Sequence, residues 1–201
     1  MDKFKVNWYT LCWNEIDIVK YIIDYWINIK NQVDLNVIVY DNGSNDGCLN
    51  ELSKYDWIEI RHFDSEGMDD IIQMNVKNNC WKESKGKVDY VIVSDFDEIL
   101  WGDLNQELVN MKTNNYNILC TKWYALCGEN IPTYTKGKYL HQLVKRGYKQ
   151  KINHDYVEYG KIMVFNPNLI NDMNWDVGNH KCNPKPISNI LFTDKIRRRR
   201  F

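Results

Sequence analysis

The sequence predicts an α/β protein whose central sheet is mostly parallel and is flanked by helices. Three observations carry this expectation. Strand-like and helix-like hydrophobic patterns alternate through the first hundred residues, which is the βαβ signature. Leu35–Tyr40 (LNVIVY) is a continuous apolar run that ends in a turn cluster, as a buried strand should. Polar clusters follow three of the strand-like runs, at Asn14-Glu15, Asp41 to Asp46 and Asp95 to Glu98. Right-handed crossovers bring the carboxyl ends of parallel strands to one sheet edge, so three clusters far apart in sequence should converge where open α/β sheets bind ligands.

The elements follow in order. Lys5–Leu11 reads as a buried strand. Ile16, Val19, Ile22, Ile23, Trp26 and Ile27 recur at helical spacing, which predicts an amphipathic helix over Glu15–Asn28. Leu35–Tyr40 is the second strand and runs into the turn cluster Asp41-Asn42-Gly43-Ser44-Asn45-Asp46-Gly47. A short helix at Leu49–Lys54 leads to a strand at Trp57–Phe63. A third helix carries Ile72, Val76 and Cys80 on one face, and Val88–Ser94 is the fourth strand. The second half is less regular, with strands expected at Asn117–Tyr124, Tyr139–Val144 and Lys161–Phe165. No repeat and no Pro/Gly linker divides the 201 residues, so a single domain is expected.

Composition narrows the function. Apolar residues make up 44% and charged residues 26%, a globular balance that excludes a disordered chain. Lys plus Arg number 26 against 27 Asp plus Glu, so the basic excess of a nucleic-acid binder is missing. No run of 18 apolar residues is present, and MDKFKVNWYT lacks a signal-peptide core. A cytoplasmic protein without a transmembrane segment is therefore expected. Cys12, Cys48, Cys80, Cys120, Cys127 and Cys182 show neither CxxC nor zinc spacing and read as reduced structural thiols.

Asp95-Phe96-Asp97 is the motif with the most chemistry. In extended chain, residues two apart share a side, so both carboxylates can face one cation while Phe96 turns to the core. Hard oxygen ligands with open positions suit Mg²⁺ or Mn²⁺ bridging a diphosphate. The same stretch, VIVSDFDEIL, resembles the first motif of haloacid-dehalogenase-type phosphatases. That reading needs a later Lys and a later acidic pair, whereas the Asp69-Asp70 pair lies upstream. The Asp41 turn is equally expected of a plain tight turn. His180, in Trp175-Asp176-Val177-Gly178-Asn179-His180, is a candidate third metal ligand or diphosphate contact. Between Glu129 and Asp155, Lys136, Lys138, Lys145, Arg146, Lys149 and Lys151 crowd together without an acidic residue. This stretch reads either as a solvated face or as a basic lid over a leaving group.

Taken together, TLCWNE, VIVYDNGSNDG and SDFDEILW resemble the nucleotide half of GT-A glycosyltransferases, nearest to family 2 and the related family 92 group. Gln73 and Cys80 in QMNVKNNC, then GKIMVFNP and WDVGNHKC, are similar to the rest of that pattern, so the resemblance covers residues 6 to 183. The chain is also similar to small glycosyltransferase domains of large DNA viruses infecting algae, one of which heads a longer polypeptide. Ile99 and Leu100 depart from the Phe-Leu that usually follows the acidic motif, and no Glu-Asp pair marks the family 2 base.

The resemblance implies a GT-A fold, with residues 1–101 as the nucleotide-binding half, 102–195 as the acceptor and metal-completing half, and 196–201 as a basic tail. It implies that Thr10, Asn14, Glu15 and Gln73 border the nucleotide and that Asp41 contacts the base. Asp95 would lie near the ribose and metal, Asp97 would ligate Mn²⁺ or Mg²⁺, and His180 would complete the site. The donor would be a UDP-sugar and the acceptor a hydroxyl of a glycan or glycoprotein. For an inverting reaction, Asp155, Glu158 and Glu129 are the candidate bases, from their position beside the basic stretch. Trp123 and Tyr124 are candidates for stacking on the acceptor sugar or for the core. A non-catalytic domain binding a nucleotide-sugar or glycan is the alternative from another class.

Overall fold

The computed structural model describes residues 2–65, 67, 69–128, 130–144, 146–149, 163–178 and 181–200. Its first half follows the alternation of the sequence. Strand β1 (Lys5–Cys12), helix α1 (Ile16–Gln32), β2 (Asp34–Asp41), α2 (Cys48–Leu52), β3 (Ile58–His62), α3 (Asp70–Asn79) and β4 (Tyr90–Asp95) come in that order. A 3₁₀ turn, Cys80–Ser84, joins α3 to β4. Helix α1 runs four residues beyond its expected end because Ile29 continues the buried stripe of Tyr25 and Trp26, and it stops where Val33 turns extended.

The second half contributes β5 (Glu98–Trp101), α4 (Leu104–Thr113), β6 (Ile118–Cys127), α5 (Leu140–Leu143), β7 (Arg146–Lys149), β8 (Met163–Phe165) and β9 (Ile190–Arg200). One sheet takes all the strands named, in the order β3-β2-β1-β4-β8-β6-β9-β5 with β7 on β6. The first four strands in that order are mutually parallel, and beyond β4 the sheet is mixed. Order reverses between β1 and β4, the topological switch point at which such sheets open a crevice.

Alternation along the strands divides the core in two. Val6, Trp8, Leu35, Val37 and Ile92 face α1 and α4. Tyr9, Ile38, Val91 and Val93 face the other way, against Trp81, Phe165 and Trp175. Helix α4 buries Leu104, Glu107, Leu108 and Met111 at i, i+3, i+4 and i+7, and Asp103 caps it by accepting from the Gln106 N–H at 2.9 Å.

Two expectations need correction. Residues 139–144 do not form a strand. Leu140–Leu143 is one helical turn in which Gln142 Oε1 accepts from the Tyr139 N–H at 3.0 Å. Tertiary contact decides it, since the Tyr25 hydroxyl meets His141 Nδ1 at 2.7 Å and Tyr139 stacks on the His141 ring. Residues 196–200 are not a free tail either. They are the second half of β9, paired parallel with β6 and antiparallel with β5. Of the strand expected at Lys161–Phe165, the described part is β8, Met163–Phe165.

Candidate active site

The loops after β1 and β2 meet at the sheet edge, where polar side chains tie them together, and the turn after β4 lies close enough for its Asp97 charge to act on Glu15. Asn14 adopts a left-handed backbone, φ 56°, which an Asn tolerates better than most residues. Its Oδ1 accepts from the Asn45 N–H at 2.8 Å, and its own N–H donates to Ser44 Oγ at 2.9 Å. Asp46 accepts from the Ile16 N–H at 2.7 Å and from the Cys48 N–H at 2.9 Å, so one carboxylate caps α1 and α2 together. Burial pushes the Asp46 carboxyl upward, but the Cys48 and Ile16 donors outweigh it and hold the group below its ordinary value. The sulfurs of Cys12 and Cys48, both buried, lie 3.9 Å apart beneath these loops.

The acidic motif closes the other side of the switch point. Asp95 ends β4, Phe96 and Asp97 make the turn, and Glu98 opens β5. Phe96 is buried against Trp26, which leaves Asp95 and Asp97 half-buried at the edge. One carboxylate oxygen from each of Asp95, Asp97 and Glu98 lies within 4.8 Å of the other two. Glu98 Oε2 also accepts from the Asp95 N–H at 3.3 Å. Lys77, buried on α3, forms an ion pair with Asp95. Gln73 lies half-buried one helical turn before Lys77.

Glu15 stands half-buried just before α1. Burial raises its carboxyl from an ordinary 4.5 to about 7, with the charge of Asp97 as the next cause and Cys48, Asp46 and Asp95 adding to it. A carboxyl raised on folding binds its proton more tightly in the native state. Its contribution is therefore intact below pH 4.5 and is lost as pH rises toward 7. In EDTA, unfolding free energy is expected to fall across that window, by up to ~3 kcal/mol at 1.36 kcal/mol per unit. Urea titrations of wild type and Glu15→Gln check this, since the variant should lose most of that slope. Equal slopes would show that Glu15 ionises normally.

Other expected site residues fall differently. Asp41 is buried, and its oxygens accept from the Gly43 N–H at 3.1 Å and the Ser44 N–H at 3.2 Å, with His62 Nδ1 at 3.3 Å. In this arrangement it organises its own turn. Thr10 is wholly buried, and its Oγ1 has no hydrogen-bond partner among the described residues, so it offers a ligand no surface. Asn14, Glu15, Asp95 and Asp97 are the expected residues brought together at the switch point. Glu129, Asp155, Glu158 and His180 lie outside the described residues. Trp123 and Tyr124 lie in β6, and Arg146 and Lys149 in β7. Lys136 and Lys138 are exposed, while Lys145 and Lys151 lie outside the described residues.

Sequence reasoning missed Glu98 and Lys77 as site residues. Glu98 adjoins the motif and was legible. The signal for Lys77 was a charge bordering the stripe of Ile72, Val76 and Cys80, four residues after Gln73. A separate groove of about 290 Å³, lined by Asn7, Trp57, Arg61 and Glu83 among others, contains none of these carboxylates. Among the described residues, no helix is long and apolar enough to cross a membrane.

No protein-family model matches the chain, and no curated protein is significantly similar to it. Solved structures do match. Residues 1–349 of TarS from S. aureus align with a TM-score of 0.59 at 13% identity, over 96% of this chain and 60% of that one. The same TarS segment in complex with UDP-GlcNAc aligns at 0.54 and 12%, over 98% and 59%. A197 from STIV aligns at 0.50 and 8%, over 98% and 85%. The chain thus spans about 60% of the length of the TarS segment it matches. These likenesses establish a GT-A-like α/β fold.

Proposed function

We propose that the protein is a metal-dependent glycosyltransferase that moves a sugar from a UDP-linked donor to a hydroxyl of a glycan or glycoprotein, with inversion. One observation carries this reading, namely the cluster of Asp95, Asp97 and Glu98 at the switch point of a GT-A-like sheet. The UDP-GlcNAc complex of TarS, a protein of similar fold, supports a UDP-linked donor.

The donor set fits a hard divalent cation, since it consists of carboxylate oxygens gathered within reach of one ion. Asp97 and Glu98 would hold Mn²⁺ or Mg²⁺, with Asp95 beside them and His180 completing the set. A cation bound there supplies positive charge against the charge that develops on the departing diphosphate. Glu15, Asn14, Gln73 and the Asp41 turn would border the nucleotide. Lys136, Lys138 and their basic neighbours would add positive charge above it. Asp155, Glu158 or Glu129 would take the proton of the acceptor hydroxyl from the face opposite the leaving group. The lysine beside Asp95 comes from the upstream helix α3 rather than from a later segment, which counts against the phosphatase pattern.

The test is UDP release from a panel of UDP-sugars, with glycan acceptors, in Mn²⁺ and in EDTA. Release with at least one donor, abolished by EDTA, is the expected result. Tight binding of a nucleotide-sugar without turnover on any acceptor would instead identify a binding domain. Full activity in both Asp155→Asn and Glu158→Gln would remove these two as bases.

A further inference from the structure

Lys77 is a buried lysine, with 1% of its side chain exposed. A buried ammonium persists only when an opposite charge compensates its lost hydration. Its partner is Asp95, the carboxylate at the end of β4 and a member of the acidic cluster. The lysine approaches from α3, while Asp97 and Glu98 follow Asp95 on the turn and on β5. Three carboxylates and one ammonium leave two net negative charges, the number that a divalent cation neutralises.

We propose, building on the donor-site reading above, that Lys77 is a positioning residue. By pairing with Asp95 it withholds that carboxylate from the cation and leaves Asp97 and Glu98 to hold it. The ion pair also keeps a fixed positive charge beside the place where a diphosphate would lie. Without Lys77, Asp95 becomes a third anionic ligand. The cation then binds more tightly, and the nucleoside diphosphate meets one more negative charge.

Calorimetric titration of the full chain with Mn²⁺ alone, and with UDP at saturating Mn²⁺, tests this in four proteins. Lys77→Met is expected to bind Mn²⁺ at least about tenfold more tightly and UDP at least about fivefold more weakly than wild type, as one added charge a few ångströms away requires. Lys77→Arg keeps the charge and should stay within about threefold of wild type for both. The double variant Lys77→Met/Asp95→Asn removes both charges, which a buried pair tolerates better than loss of one partner. It should retain wild-type Mn²⁺ affinity within about threefold, because Asp97 and Glu98 are untouched, and it carries the test if Lys77→Met does not fold.

Opposite shifts for the two ligands distinguish positioning from a structural role, which would weaken both together. Unchanged or weaker Mn²⁺ binding in folded Lys77→Met overturns the proposal, as does loss of Mn²⁺ binding in the double variant. If wild type binds UDP with Mn²⁺ but the variants behave this way, the proposal alone falls. A wild type that binds neither ligand removes the donor-site reading and the proposal with it.

Discussion

Replacing Asp97 with Asn should abolish metal-dependent UDP release while leaving the fold intact. The change preserves shape and removes one carboxylate from the group that would hold the cation. Loss of a group that neutralises charge on a leaving diphosphate costs about 10²–10³-fold or more in turnover. Stability should move the other way. After burial, Asp97 is the leading cause of the raised Glu15 carboxyl, so its neutralisation relieves a repulsion and the variant should melt no lower than wild type. UDP release and thermal denaturation of the same preparation check both halves. An active Asp97→Asn enzyme would contradict the site, and an unfolded one would show that Asp97 is structural.

The second large effect lies beneath the motif. Trp26 on α1 is buried between Trp8, with ring centroids 6.2 Å apart at 64°, and Phe96, 5.5 Å away at 84°. Both are edge-to-face contacts, and Phe96 is the residue that separates Asp95 from Asp97. Trp26→Ala should therefore cost about 3–5 kcal/mol in stability, the range for deleting a buried aromatic. It should also weaken Mn²⁺ binding through Phe96, which would lose the surface it rests on. Trp26→Phe should be far milder. The indole Nε1 has no hydrogen-bond partner among the described residues, so removing it leaves no new unsatisfied group. Urea denaturation with Mn²⁺ titration compares the two. Equal losses in both variants would mean that ring volume does not support the motif.

Much of this arrangement was legible because parallel strands buried on both faces write themselves as apolar runs. LNVIVY and VDYVIVS announced β2 and β4, and the polar residues that ended them proved to share one edge. The less legible elements depend on distant partners. The β9 sequence KIRRRR reads as a basic tail, and it is a strand because β6, about 70 residues earlier, and β5 pair with it. The four residues of β5 were too short for a period to show. YLHQLV reads as a strand, yet the contact of Tyr25 with His141 holds it as a helical turn. Lys77 could be read as a charge on a helix but not as a partner of Asp95, since α3 and β4 meet only in the fold. Asp41 shows the converse, because the turn its residue types favour is the turn it makes.

The most direct test of a nucleotide site at this edge is thermal stabilisation by UDP, GDP, CMP and ADP, each in Mn²⁺ and in EDTA. A ligand at a hundred times its dissociation constant adds about 2.7 kcal/mol, on the order of 5–10 °C for a chain of this size. The expected result is a shift with UDP that requires Mn²⁺ and is lost in Asp97→Asn. No shift with any nucleotide, or a UDP shift of equal size in EDTA and in Asp97→Asn, would contradict it.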